Sequence, residues 1–278
     1  MTWPYPIIFD SYARSNATAG KAAGAVGWVR YCPGPNVDPA KTCTADEVKA
    51  LEDQDMTLVL VGERGTQDWR GGYSAGVKDG TGYRAGATSI GYGTGATIYA
   101  SADTDVLQTD VPVLMDYAHG FNIGAGQEQN GGLYADGGSL SALHSVGLIK
   151  YPWQTESNGF WGSGTVYSAC VLHQRTSHVL QFGGVDENDV LSVDYGQHNY
   201  KPIPVPEDEM NPCLIVYVQD EHGNPLPSRW VVDQFAGTKH LFQDDAVHKE
   251  HCAQVQLSGG TVVEHPATQA YVDSLTSV

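Results

Sequence analysis

Basic residues are scarce in this chain: 15 Lys and Arg stand against 32 Asp and Glu, for a formal charge of -17. A surface of that sign repels phosphate backbones and anionic lipid, which argues against nucleic acid and membrane surfaces as partners. Long apolar runs are missing too. No window approaches the roughly 20 residues that a membrane helix needs, so no membrane insertion is expected. The opening "MTWPYPIIFDSYARS" has neither the basic n-region nor the long apolar h-region of an export signal. Cysteine is thin: Cys32, Cys43, Cys170, Cys213 and Cys252 are too scattered for a disulfide framework. Cys32 and Cys43 flank "CPGPNVDPAKTC" and could pair in an oxidising compartment; the alternative is a set of small buried thiols. His248, His251 and Cys252 carry ligand-type side chains in an order without zinc spacing, so no metal and no other cofactor is expected.

What is present is ordinary globular composition, 41% hydrophobic and 17% charged, with 33 glycines that imply short connections. Short β-rich runs recur with helix-compatible segments between them: "PIIFD" (6 to 10), "AVGWVRY" (25 to 31), "MTLVLVGE" (56 to 63), "ATIYASAD" (96 to 103), "NGGLYAD" (130 to 136), "IKYPWQT" (149 to 155), "SACVLHQ" (168 to 174) and "VDENDVL" (185 to 191). Eight such units predict an α/β fold, a compact (β/α)8 TIM-like barrel. In "TADEVKALEDQD", Thr44 and Glu47 form a capping-box pattern, and "TDVPVLMDYAHGFNIGA" reads as a second helix. The segment "DWRGGYSAGVKDGTGYRAGATSIGYGTG" is so rich in glycine that tertiary packing would have to supply any helix there. "HNYKPIPVPEDEMNP" combines Pro202, Pro204, Pro206 and Pro212 with acidic residues, the pattern of a stiff solvated linker. The expected organisation is therefore a barrel over 1–200, a linker over 201–212 and a small β-rich domain over 213–278.

In a parallel barrel the C-terminal ends of the strands converge on one mouth. The strand ends here are polar in a way packing does not require: Asp10, Arg30 and Tyr31, Glu63, Asp103 and Asp105, Tyr134 and Asp136, Trp153 and Gln154, His173 and Gln174, Asp186 and Asn188. Residues i and i+2 of a strand share a face, so Asp103 and Asp105 are both expected to point into the mouth. Neighbouring carboxylates split their pKa values, one ionised and one protonated, which is what acid/base cleavage of a glycosidic bond needs. Tyr31, Tyr99, Tyr134 and Trp153 offer apolar faces to sugar rings and polar edges to hydroxyls. Against this, "DTD" is often a solvated turn, Arg30 is often paired structurally, and Tyr99 and Trp153 are often core.

In order along the chain, "FDSYARS", "WVRYCPG", "TLVLVGE", "ATIYASADTD", "YPWQT", "LHQ" and "GGVDEND" resemble the glycoside hydrolase-like domain of mycobacterial cell-envelope and actinobacteriophage proteins, a β/α barrel related to the family-25 lysozymes. The resemblance covers about residues 5 to 195. It implies that Asp10, Glu63, Asp103 and Asp105 are the catalytic acids, and that Trp153, Gln154, Gln174 and Asp186 belong to the substrate-binding set with Arg30, Tyr31, Tyr99 and Tyr134. Related lysozymes end strand four in Asp-x-Glu where this chain has Asp-Thr-Asp. The shorter second acid leads to an expectation of glycan binding with weak turnover, since about 1 Å of misplacement can cost a hundredfold in rate. "RWVVDQFAGTKHLF" is similar to small modules appended to phage tail and lysin proteins. Together these imply a virion-borne, tail-associated protein. Its barrel would recognise and trim host cell-envelope glycan, and its C-terminal module would attach to other virion proteins. The alternatives are a soluble endolysin-type glycosidase and an inactive structural virion module.

Overall fold

In a computed structural model the chain divides into two units, Met1–Lys201 and Pro202–Val278. The structure describes residues 5–155, 157, 159–179 and 185–199, and five strands beyond them. In the first unit β1 (Ile7–Ser11), β2 (Ala25–Tyr31), β3 (Thr57–Gly62), β4 (Ile98–Ser101), β5 (Gly132–Ala135), β6 (Tyr151–Gln154), β7 (Leu172–Val179) and β8 (Val185–Val190) close into a barrel in sequence order. Helices α1 (Ala17–Ala22), α2 (Ala45–Glu52), α3 (Gly72–Ser89), α4 (Val111–Gly124) and α5 (Gly137–Ser145) follow the first five strands in turn. The strands from β1 to β7 pair in parallel. The eighth departs from the expected all-parallel ring, running antiparallel to both β7 and β1.

Strand alternation sorts the buried residues into two cores. Ile8, Val29, Val59, Val61, Tyr99, Tyr134, Trp153 and Leu172 fill the barrel interior, while Phe9, Trp28, Leu58, Leu60, Ile98, Ala100 and Leu133 face the helices. At α2 the Thr44 hydroxyl accepts from the Glu47 backbone and the Glu47 carboxylate accepts from the Thr44 backbone, the reciprocal cap read from the sequence. The glycine-rich segment forms α3, the longest helix among the described residues. Packing explains it. A Cβ built on Gly76 or Gly80 would stand 2.1 or 2.2 Å from the carbonyl oxygens of Tyr117 or Phe121 on α4. One on Gly120 or Gly124 would stand 2.2 Å from those of Tyr73 or Val77 on α3. Two Gly-x-x-x-Gly faces thus let the helix backbones touch, and dispersion contacts offset the poor propensity of glycine.

Cys32 and Cys43 are buried free thiols, so the open question of a bridge resolves to the packed alternative; Cys32 Sγ donates to the Tyr83 carbonyl at 3.3 Å. In the second unit β9 (Cys213–Gln219), β10 (Pro225–Asp233), β11 (Thr238–Phe242), β12 (Val262–Ala267) and β13 (Thr276–Ser277) form a sheet in the order β12-β9-β10-β11-β13. The expected linker at 201–212, and His248, His251 and Cys252, lie outside the described residues. No helix among the described residues is long and apolar enough to cross a membrane.

Candidate active site

The barrel mouth opens into a cavity of about 430 Å³ in which Asp10, Glu63, Asp103 and Asp186 meet Tyr31, Tyr134, Trp153 and Gln174. Each carboxyl is placed by strand parity. Asp10 follows Ile8, Glu63 follows Val61, and Asp103 follows Tyr99 and Ser101, all with interior-facing side chains two residues earlier. Asp186 reaches the same mouth from the opposite direction. Because β8 is reversed, its N-terminal end lies beside the C-terminal end of β1, and Asp186 pairs directly with Asp10. The expectation that strand eight presents its C-terminal end is thus corrected: Asn188 lies deeper, where its Oδ1 accepts from the Trp153 indole at 2.7 Å.

Gln174 organises one wall. Its Oε1 accepts from the Tyr134 hydroxyl at 2.7 Å, which turns its Nε2 toward Asp10 Oδ2 at 3.2 Å and Asp186 Oδ2 at 3.3 Å. Trp153 and Tyr134 sit with ring centroids 4.5 Å apart and make the floor. Across the mouth, Glu63 Oε2 accepts from the Ser101 hydroxyl at 2.7 Å. Desolvation is the largest influence on the acids. It raises Asp10 from the ordinary 3.8 to about 8, with the charges of Asp186 and Glu63 adding to the rise and Arg30 and Gln174 opposing it. Burial also raises Glu63, opposed by Ser101 and Lys41, and raises Asp103, helped by Asp186. Burial lifts the Tyr31 and Tyr134 hydroxyls as well, keeping them protonated.

Five residues expected in the mouth are elsewhere. β4 ends at Ser101, so alternation does not carry on to Asp105; that side chain is exposed and accepts from the Trp161 backbone at 3.0 Å. The same-face pair is therefore Ser101 and Asp103. Arg30 shares the outer face of β2 with Trp28. It is fully buried, with Nε on Glu47 Oε1 at 2.9 Å and Nη1 on the Ser11 and Tyr12 carbonyls. Gln154, on the outer face beside Trp153, gives Nε2 to the Thr165 carbonyl and takes the Tyr167 backbone N–H, pinning the loop after β6. Tyr99 lies inside the barrel but below the cavity, donating to the Tyr195 carbonyl at 2.7 Å. Asp136, another strand-end acid, caps α5 by accepting from the Ser139 backbone.

Sequence reasoning missed Ser11, Tyr12, Ser157 and Arg175, which line the cavity. Arg175 is one position past Gln174, so strand parity would not have marked it; it reaches the lining while its guanidinium pairs with Glu187 and Asp189. Tyr12 lies on the loop after β1, where no periodicity marks it. It is 55% exposed and its ring stands edge-on to Tyr31 at 6.4 Å, an aromatic rim for the cavity.

Comparison with known proteins adds the family. The Rv2525c-like, glycoside hydrolase-like domain matches residues 18–194. Rv2525c of Mycobacterium tuberculosis, whose name marks it as a candidate peptidoglycan hydrolase, is 31% identical over 189 residues, covering 64% of this chain and 77% of that protein. Crystal structures of the same Tat-secreted protein are similar too. The complex with HEPES has a TM-score of 0.62 at 28% identity, and the complex with L-tartrate a TM-score of 0.59 at 28% identity. Each covers 69% of this chain and 98% of that one. With a closed barrel of this topology and a family match over most of its length, the chain belongs to the Rv2525c-like glycoside hydrolase-like domain family.

Proposed function

We propose that the barrel binds cell-wall glycan of the peptidoglycan class in the mouth and cleaves it by acid/base chemistry, with Asp10 as proton donor and Glu63 as its anionic partner. The observation that carries this reading is the pairing of unlike environments across one cavity. Asp10 holds its proton up to about 8 while crowded by Asp186 and Glu63, whereas the two oxygens of Glu63 face a hydroxyl and an ammonium. In the reaction the Asp10 proton passes to the glycosidic oxygen as the bond to the anomeric carbon breaks. The Glu63 carboxylate stabilises the positive charge that develops on the sugar until water bonds to the anomeric carbon, the water's proton being released to the site so that Asp10 is protonated again. Tyr31, Trp153 and the rim Tyr12 offer ring faces to the sugars.

The family match and the name of the mycobacterial relative support this substrate class. The test is release of reducing ends from purified peptidoglycan, with arabinogalactan in parallel, by wild type and Glu63→Gln. Loss of turnover in Glu63→Gln, with binding kept, supports the assignment. Wild-type binding without cleavage would leave a glycan-binding module. Anomer-resolved NMR of the first product reports whether Glu63 attacks directly or through water.

The proposal extends to Pro202–Val278, which lies beyond the family match and contains a five-stranded sheet. We read it as a module that attaches the barrel to other proteins, with a phage virion as the carrying particle. Mass spectrometry of purified particles, comparing full chain with a truncation after residue 204, tests it: incorporation that survives truncation contradicts the attachment role.

A further inference from the structure

We propose that Lys41, a residue outside the cavity lining, is a positioning residue that holds Glu63 as an anion aimed into the mouth. The inference rests on the reading of Glu63 given above. The segment carrying Lys41 is fastened to the end of β2: Thr42 bridges Tyr31, and the Cys43 backbone N–H donates to the Tyr31 carbonyl at 2.8 Å. The preceding turn closes by the Lys41 backbone N–H on the Asp38 carbonyl at 3.0 Å. From this anchored backbone the side chain folds over the Tyr31 ring, with Nζ 3.9 Å from its centroid, and reaches Glu63 Oε1 at 3.7 Å.

Both side chains are largely withdrawn from water, 12% exposed for Lys41 and 11% for Glu63, so the attraction is less screened than on an open surface. The cation–π contact fixes where the ammonium can sit. With Ser101 on Oε2, each oxygen of Glu63 has its own partner and the carboxylate plane is set. Charged and titratable groups facing Glu63 include Asp10 from β1, Tyr31 from β2, Asp68 from the turn before α3, Asp103 after β4 and Tyr134 from β5, with Arg30 beside Asp10. Asp103 and Asp68 raise the proton affinity of Glu63, and Lys41 is the cation in direct contact that opposes them.

The test is a carbon-13 NMR titration of the Glu63 carboxyl, which needs no turnover, in wild type, Lys41→Met and Lys41→Arg, alongside the pH profile of kcat/KM on peptidoglycan. Lys41→Met keeps the stem on Tyr31 and removes the charge. Its Glu63 midpoint is expected to move up by about one pH unit, carrying the acid limb of the rate profile with it, and Lys41→Arg is expected to restore both. A Glu63 midpoint unmoved in Lys41→Met overturns the proposal. A midpoint that moves while the rate profile does not supports the hold of Lys41 on Glu63 and rejects Glu63 as the reacting anion.

Discussion

The two ends of the barrel treat buried polar groups in opposite ways. At the closed end they are paired, mostly with backbone. Tyr99 donates to the Tyr195 carbonyl, the Tyr195 hydroxyl meets Thr57 Oγ1 at 2.6 Å, and His198 takes the Gly93 backbone N–H on Nδ1, which leaves Nε2 to Glu52 Oε1 at 3.0 Å. Gln127 bonds both the N–H and the carbonyl of Ile98. At the mouth, Asp10, Glu63, Asp103 and Asp186 crowd one cavity, and three of them are raised by burial and mutual repulsion. Satisfied polar groups stabilise a fold, whereas crowded acids work against it, and natural proteins keep such arrangements at sites of chemistry. The difference accords with the proposed division, stability at one end and acid/base chemistry at the other.

The largest break in this comparison is expected from Asp10→Asn. Loss of the proton donor should lower peptidoglycan turnover by about a hundredfold or more while the circular dichroism stays native. Next comes Gly80→Ala on α3, where the new methyl meets the Phe121 carbonyl. Overpacking of this kind costs about 1 to 3 kcal/mol, read as a lower denaturant midpoint. Tyr99→Phe should sharpen the contrast from the closed end. The Tyr195 carbonyl loses its buried donor, stability falls by about 1 to 2 kcal/mol, and kcat/KM holds. Asp105→Asn is expected to do least, with turnover within about twofold of wild type, because its side chain serves the Trp161 backbone rather than the cavity.

Much of the barrel could be read from the chain because interior strands leave apolar runs bounded by turns, and every run quoted for β1 to β8 overlaps its strand. Direction was not legible for β8, since "VDENDV" alternates equally well either way and only its pairing with Asp10 and Gln174 shows the reversal. Parity would have removed Arg30 and Gln154 from the mouth, because each sits one position from an interior residue, Val29 or Trp153. It could not have removed Asp105, whose placement depends on where β4 stops, nor Tyr99, which has the right parity at the wrong depth. Lys41 and Tyr12 come from loops, where side-chain direction is set by tertiary contacts such as the Thr42 bridge and the Arg30 clamp on the Tyr12 carbonyl. The length of α3 depended on a second helix whose glycines match its own.

The central claim is that the mouth keeps a protonated acid for chemistry at the expense of stability. Asp10 tests it most directly. Folded Asp10 holds its proton from the ordinary 3.8 up to about 8, while the unfolded chain releases it near the lower value. Between those values the unfolded chain binds fewer protons, and wild-type stability must fall as pH rises. The decisive measurement is urea unfolding and peptidoglycan turnover of wild type and Asp10→Asn across pH 4 to 9. The account predicts equal stability near the acid end and an advantage for Asp10→Asn of roughly 1 to 3 kcal/mol by pH 8, reduced from the full linkage value because Asp10 is partly open to the cavity. Wild-type turnover should decline above about 8, and turnover by the variant should be about a hundredfold lower throughout. An Asp10→Asn variant that cleaves glycan at the wild-type rate, or that is the less stable of the two at pH 8, would contradict it.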